Sequence, residues 1–180
     1  MTDNPWTTLK ITSLYENPWI RLEHHDILNP AGKVGVYGKV HFKNRAMAII
    51  PVDQDGNTWL VGQYRYTLEE YAWEIPMGGG PIGQDLLESA KRELREETGL
   101  SAEKWTEVMK VHTSNSVTDE VGIVYLAEML TQGDTEFEET EILQVKKLPF
   151  SEVLEMVMRG EITDSISVAG ILKVARILGY

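Results

Sequence analysis

Gly78-Gly79-Gly80-Pro81-Ile82-Gly83-Gln84-Asp85-Leu86-Leu87-Glu88-Ser89-Ala90-Lys91-Arg92-Glu93-Leu94-Arg95-Glu96-Glu97-Thr98-Gly99-Leu100 is the stretch that decides the reading of this chain. A glycine-rich loop runs into a helix with marked ends. Asp85 is a good N-cap, Glu88 three residues on makes a capping-box pattern, and Gly99 suits a left-handed stop. At about 100° per residue, Glu93, Glu96 and Glu97 fall within an arc of roughly 100°, with Cβ atoms about 5–6 Å apart. Leu86, Leu87, Ala90 and Leu94 fill the adjoining arc and face a core. Three carboxylates so close repel one another unless a cation sits among them. A hard divalent cation with oxygen ligands answers that need, and Mg²⁺ fits best because it shares a few carboxylates with water and substrate phosphates. Arg92 is four residues from both Glu88 and Glu96 and can orient Glu96. The plain alternative is glutamates on a solvated helix face; the glycine loop before the helix and the Gly99 stop after it weigh against it.

The loop also matches the G-x-G-x-x-G fingerprint of dinucleotide domains, with acids about 20 residues on. Three facts disfavour that reading. Several strands precede the loop, Pro81 lies inside it, and the helix is among the most charged parts of the chain. No Lys-Ser/Thr of a P-loop follows.

Outward from this segment the chain reads as β structure on its N-terminal side. Thr8–Tyr15, Trp19–Ile27 and Val34–Phe42 are rich in β-branched and aromatic residues, with a turn at Asn29-Pro30-Ala31-Gly32. Ala46–Val52 and Thr58–Tyr66 flank a hairpin loop at residues 53–57, and Tyr71–Met77 is a short strand running into the glycines. On the C-terminal side, strands are expected near Trp105–His112, Gly122–Met129 and Leu143–Leu148, an acidic loop at Thr131–Glu141, and helices over Ser151–Arg159 and Asp164–Leu178. Strands first, then mixed strands and helices, predict an α/β or α+β sandwich with the sheet covered by helices. Residues 43 and 44 mark the boundary between an N-terminal β subdomain (1–43) and a second domain (44–180).

Composition narrows the function. Seventeen Lys plus Arg against 28 Asp plus Glu leave a net charge of −11 over 180 residues. A nucleic-acid backbone binder needs a basic surface, and no basic run appears; an anionic membrane surface is disfavoured for the same reason. With 42% apolar residues and five Trp the chain has material for a core, so its charge does not signal disorder. No cysteine is present, which removes disulfides, thiolate zinc sites and Cys nucleophiles and fits a reducing compartment. No signal-peptide pattern is visible at the N-terminus and no apolar stretch is long enough to span a bilayer, so the expectation is a cytoplasmic protein.

The quoted segment resembles the signature of the Nudix hydrolase family. That pattern is Gly, five residues, Glu, seven residues, Arg-Glu, an aliphatic, any residue, Glu-Glu, any residue, Gly, an aliphatic. Gly78, Arg92-Glu93-Leu94-Arg95-Glu96-Glu97 and Gly99-Leu100 match it, and Gln84 stands where the first Glu belongs. In the family that Glu braces the loop–helix–loop by pairing with the Arg, so Gln84 weakens the brace, and Glu88 is an alternative partner for Arg92. Gly62-Gln63-Tyr64-Arg65-Tyr66 and Trp73-Glu74-Ile75-Pro76-Met77 resemble the ADP-ribose and nucleoside diphosphate sugar branch. So does the order of an N-terminal β subdomain, a Nudix core, an acidic loop and a closing pair of helices.

The resemblance implies a Nudix-type α/β/α sandwich with a mixed sheet and an N-terminal antiparallel β subdomain. It implies hydrolysis of the pyrophosphate bond of nucleoside diphosphate sugars, with Mg²⁺ as cofactor and Mn²⁺ as a possible substitute. It also implies a homodimer with N-terminal strands exchanged between subunits. The metal site would comprise Glu93, Glu97, a shared Glu96 and the Met77 backbone carbonyl. Arg65 and Glu74 would bind substrate, although Arg65 could instead pair with Glu69 or Glu70 as an ordinary sheet residue. The general base would come from the acidic loop, with Glu139 aligning best and Glu141 and Glu138 as rivals. Ser114-Asn115-Ser116-Val117-Thr118-Asp119-Glu120 departs from the Ser-Pro-Gly pattern of dedicated ADP-ribose hydrolases at Asn115 and favours a broader preference such as GDP-mannose. A catalytically idle nucleotide-sugar sensor is the alternative that Gln84 supports. His24-His25 lies on a strand whose neighbouring side chains face opposite ways, against a two-His metal site. Trp19, Tyr15 and Tyr37 are expected in the core or at a dimer contact, or one of them stacked on the base.

Overall fold

The structure, a computed structural model, describes residues 3–134 and 143–180. In chain order the elements are β1 (Thr7–Glu16), β2 (Ile20–Leu28), β3 (Val34–Phe42), β4 (Asn44–Pro51), β5 (Asn57–Arg65), β6 (Glu70–Glu74), β7 (Met77–Pro81), α1 (Leu86–Thr98), β8 (Leu100–His112), β9 (Val121–Gln132), β10 (Gln144–Pro149), α2 (Phe150–Met158) and α3 (Ser165–Leu178). The chain forms two compact units.

The first unit comprises the residues up to Asn44 together with His112–Glu120. Strands β1, β2 and β3 form an antiparallel sheet in sequence order. The segment Ser114–Asp119 returns to β3: Val40 donates its N–H to Val117 O at 2.9 Å, and Asp119 donates to Val40 O at 3.2 Å. Tyr15, Trp19 and Tyr37 are all exposed within the chain, so they are not core residues. They share that exposure with Leu9, Ile11 and Leu14 of β1 and with Val34 and Val36 of β3.

The second unit holds the remaining elements around a four-stranded sheet of order β7-β4-β9-β8, in which β4 and β9 run parallel. A separate antiparallel sheet has the order β10-β5-β6. The period of two along β4 and β9 explains the layering, because neighbours point to opposite faces. Ala48, Ile50, Val124 and Leu126 belong to one buried cluster with α2 and α3, through Phe150, Val153, Ile171 and Val174. Met47, Ile49, Ile123 and Tyr125 belong to another with Ala90 and Leu94 of α1. A sheet buried on both faces requires near-continuous apolar strands, and Ala46–Val52 and Val121–Ala127 supply them. This is the expected mixed α/β/α architecture.

Three local expectations need correction. The segment Tyr71–Met77 does not form one strand, and Gly78–Pro81 is not a loop. β6 ends at Glu74 and a new strand, β7, spans the glycines. Pro76 causes the break: it has no N–H to continue a ladder, and its carbonyl accepts from Ile49 N at 2.8 Å as the chain crosses to the other sheet. At the helix start the Asp85 carboxylate accepts from Leu87 N, whereas Glu88 turns outward to Lys91 at 2.7 Å and does not close a capping box.

Candidate active site

The site is assembled where β7 meets α1. The cap at Asp85 starts the helix and Gly99 stops it. Gly99 has φ +72°, donates its N–H to Arg95 O, and leaves no space for a Cβ, which would lie 2.5 Å from Gly133 O. Ala90 and Leu94 are fully buried against the sheet. That packing fixes the helix rotation and turns Glu93 and Glu97 toward β7.

Two contacts define the carboxylate positions. Glu97 is only 3% exposed, and its Oε2 accepts the Met77 N–H at 3.1 Å. The Glu93 carboxylate lies directly over Gly78, where an added Cβ would come within 2.6 Å of Oε2. The signature glycine is therefore required by the glutamate that packs on it. Glu93 and Glu96 are tied together by Arg92, whose guanidinium donates to Glu93 Oε1 at 2.5 Å and to Glu96 Oε2 at 2.7 Å. Arg92 thus relieves part of the like-charge repulsion. Its partners are Glu93 and Glu96, not Glu88. Gln84 is exposed in the turn before α1, where its N–H donates to Pro81 O at 3.2 Å.

Arg65 closes a second contact. Its Nε donates to Glu74 Oε1 at 2.8 Å and its Nη2 to Glu74 Oε2, a side-on pair with both carboxylate oxygens. The pairing with Glu69 or Glu70 that sequence allows is not formed, although Glu70 stands opposite Arg65 in the ladder. Glu74 is 4% exposed, so Arg65 supplies the charge that its burial demands. The Glu74 hydrogen bonds raise the Arg65 pKa above its ordinary value, and the charges of Asp164 and Glu97 add to that effect. A cleft of about 270 Å³ opens here, lined by Arg65, Thr67, Ala72, Glu74 and Asp164.

The candidate donors at β7 and α1 are Glu93, Glu96, Glu97 and the Met77 carbonyl, all oxygen. Such a set suits a hard divalent cation. The fit is supported by the built geometry: a buried carboxylate bonded to the β7 backbone and a second seated on a glycine with no room for a side chain. Glu138, Glu139 and Glu141, the candidates for the general base, lie outside the described residues. Sequence reasoning missed the Arg65–Glu74 pair and the tie of Glu93 to Arg92. The Arg65 and Glu74 side chains meet along a hairpin rather than across it, which residue spacing does not reveal.

The chain is similar to several known proteins. Residues 42–165 match the NUDIX domain, and residues 6–40 match the nucleoside diphosphate sugar hydrolase N-terminal domain. An ADP-ribose pyrophosphatase of Mycobacterium tuberculosis is 33% identical over 179 residues, covering 97% of this chain and 85% of that protein. An ADP-ribose pyrophosphatase of Bacillus subtilis is 31% identical over 160 residues, covering 88% and 86%. A crystal structure of an ADP compounds hydrolase superposes with a TM-score of 0.88 at 22% identity, over 99% of this chain and 97% of that one, a likeness of fold.

Proposed function

The chain belongs to the Nudix hydrolase family, and from that premise we propose that it hydrolyses the pyrophosphate bond of ADP-ribose, giving AMP and ribose 5-phosphate. The observation that carries the proposal is the seating of Glu93 over Gly78 together with the Glu97–Met77 hydrogen bond, which gathers carboxylates and backbone at one end of β7. Two relatives that align along most of the chain are ADP-ribose pyrophosphatases, and they outweigh the departure at Asn115 that favours GDP-mannose.

A pyrophosphate carries charge that repels an attacking water, and the protein must offset that charge, position the water and accept its proton. Mg²⁺, with Mn²⁺ as a substitute, would be held by Glu93, Glu96, Glu97 and the Met77 carbonyl. It would supply Lewis-acid stabilisation of the phosphoryl oxygens. Arg65 presents its remaining guanidinium edge to the phosphates while Glu74 holds the other. Glu74 acts as the residue that orients Arg65. Arg92 holds Glu93 and Glu96 in place without a contribution from position 84, so Gln84 gives no structural support to an idle sensor. Proton acceptance is assigned to Glu139, with Glu141 and Glu138 as the alternatives.

The chain is further proposed to act as a homodimer through residues 1–43. The exposed apolar side chains of β1 and β3 are the support, since a small sheet that leaves so many of them to water is a candidate interface. No helix among the described residues is long and apolar enough to cross a membrane. The cytoplasm is the proposed compartment, and the cysteine-free composition is compatible with it. The direct test is Glu97→Gln. The amide oxygen can still accept the Met77 N–H, so the fold is expected to survive while Mg²⁺-dependent turnover of ADP-ribose falls by at least about 100-fold. Unchanged turnover would remove Glu97 from the site.

A further inference from the structure

In the first unit β2 and β3 pair so that Arg21 stands opposite His41, Glu23 opposite Lys39 and His25 opposite Tyr37. Alternate residues share a face, and Glu23, His25 and His41 converge on the same one. Their ligand atoms all lie within 4.8 Å of one another. Glu23 Oε2 is at the centre, 2.8 Å from His25 Nε2 and 2.6 Å from His41 Nε2. Glu23 is 7% exposed; the Arg21 guanidinium meets its Oε1 at 2.9 Å, while its Oε2 faces the two imidazoles. The far nitrogen of His41, Nδ1, lies 2.5 Å from Asp119 Oδ2, and Asp119 is anchored by the Phe42 N–H on Oδ1 at 2.9 Å. A carboxylate behind a histidine fixes its tautomer and directs Nε2 at a metal. A cleft of about 300 Å³ lined by Trp6, Tyr37, Lys39 and His25 gives an entry path beside the cluster.

We infer that Glu23, His25 and His41 form a binding site for a divalent transition-metal ion, Zn²⁺ fitting best. The hydrolysis proposed above makes no use of these residues. Two imidazole nitrogens and one carboxylate oxygen suit zinc over hard magnesium, and three protein ligands leave one position for water. Tetrahedral zinc with bonds of about 2.0–2.1 Å separates its ligand atoms by roughly 3.4 Å. The observed 2.6 and 2.8 Å separations need to open by less than 1 Å, within reach of side-chain rotation. Without an ion the rings reach Glu23 by N–H donation; binding displaces those protons to solvent. Arg21 Nε, 2.9 Å from Glu23 Oε1, and Lys39 Nζ, 3.3 Å from Asp119 Oδ2, offset part of the carboxylate charge.

The test uses the full chain stripped of metal with a chelator and titrated with Co²⁺ and then Zn²⁺. One equivalent of Co²⁺ should give the visible absorption of a low-coordinate, nitrogen-ligated ion, displaced by Zn²⁺ and not by excess Mg²⁺. His25→Gln and His41→Gln should each weaken Zn²⁺ binding by more than about 100-fold, and Asp119→Asn by about 10–100-fold. Glu97→Gln should leave the Co²⁺ spectrum unchanged, which separates this site from the one on α1. Circular dichroism checks folding, and if His41→Gln does not fold, His25→Gln decides. Unchanged Zn²⁺ affinity in a folded His25→Gln or His41→Gln protein would overturn the proposal. Failure of the wild-type chain to bind one equivalent would do the same and leave a hydrogen-bonded structural cluster in its place.

Discussion

Gly78→Ala changes one hydrogen into a methyl group at the residue beneath Glu93. Gly78 has no positive φ, so the backbone accepts alanine. The new Cβ would lie 2.6 Å from Glu93 Oε2 and 2.7 Å from its Cγ. Glu93 Cδ would lie closer still, and ordinary non-bonded contact begins near 3.5 Å, so the carboxylate must retreat by about 1.2 Å. The atoms that move are the end of a flexible side chain, and the cost to stability is about 1 kcal/mol, or 2–4 °C in melting temperature for a chain of this size. Chemistry is less tolerant. A displacement near 1 Å at a catalytic centre costs on the order of 100-fold, or about 2.7 kcal/mol of transition-state stabilisation. The assay is steady-state release of AMP from ADP-ribose across a series of Mg²⁺ concentrations, beside a thermal melt. Gly80→Ala is the control, since its Cβ would meet Leu86 Cδ2 at 2.7 Å and Met47 and Ser89 at 3.3 Å. It should lower stability while the folded protein keeps most of its activity. A Gly78→Ala protein with a near-native melt and kcat/KM within about threefold of wild type would refute the claim that Glu93 acts from its seat on Gly78.

Three further outcomes follow from the same structure. Arg65→Ala should raise KM and destabilise the chain by about 2–3 kcal/mol, because Glu74 is left buried without its partner; adding Glu74→Gln should recover the melting temperature but not KM. For Asp53, burial pushes its pKa up, but the Lys147 ammonium and the Asn57 N–H groups outweigh it and hold the carboxyl at about 2. Its stabilisation is therefore complete above the ordinary value of 3.8 and lost as pH falls through about 2, so acid melts of Asp53→Asn should lose that limb, and identical pH dependence would contradict the assignment. A Leu14→Asp, Val36→Glu double substitution should yield a monomer by light scattering where the wild type is a dimer, and a monomeric wild type would remove the dimer proposal.

The helix α1 was legible because its signals are local: a capping Asp85, a stop at Gly99 and an apolar stripe of period 3.6 between them. The layering was legible from apolar runs in β4 and β9, whose length suits strands buried on both faces. Glycines 78–80 misled, since a residue without a side chain reads as a loop; here they lie in a strand paired with β4, and glycine is needed at 78 and 80 because α1 leaves no room for a Cβ. The Arg65–Glu74 pair depends on a side chain lying along a hairpin, which the register alone conceals. His41 and Asp119 are 78 residues apart, and only the return of the 112–120 segment to β3 brings them together. Glu23 and His25 are two apart and share a face, but His41 joins them only through the β2–β3 register.

This chain is proposed to split a nucleoside diphosphate sugar with a divalent metal. Incubation of the pure protein with ADP-ribose, GDP-mannose, UDP-glucose and diadenosine polyphosphates, with and without Mg²⁺, tests it most directly. The expected result is equimolar AMP and ribose 5-phosphate from ADP-ribose, dependent on Mg²⁺ and faster than from any other compound in the panel. Retained binding of ADP-ribose with no product at any Mg²⁺ concentration would contradict it.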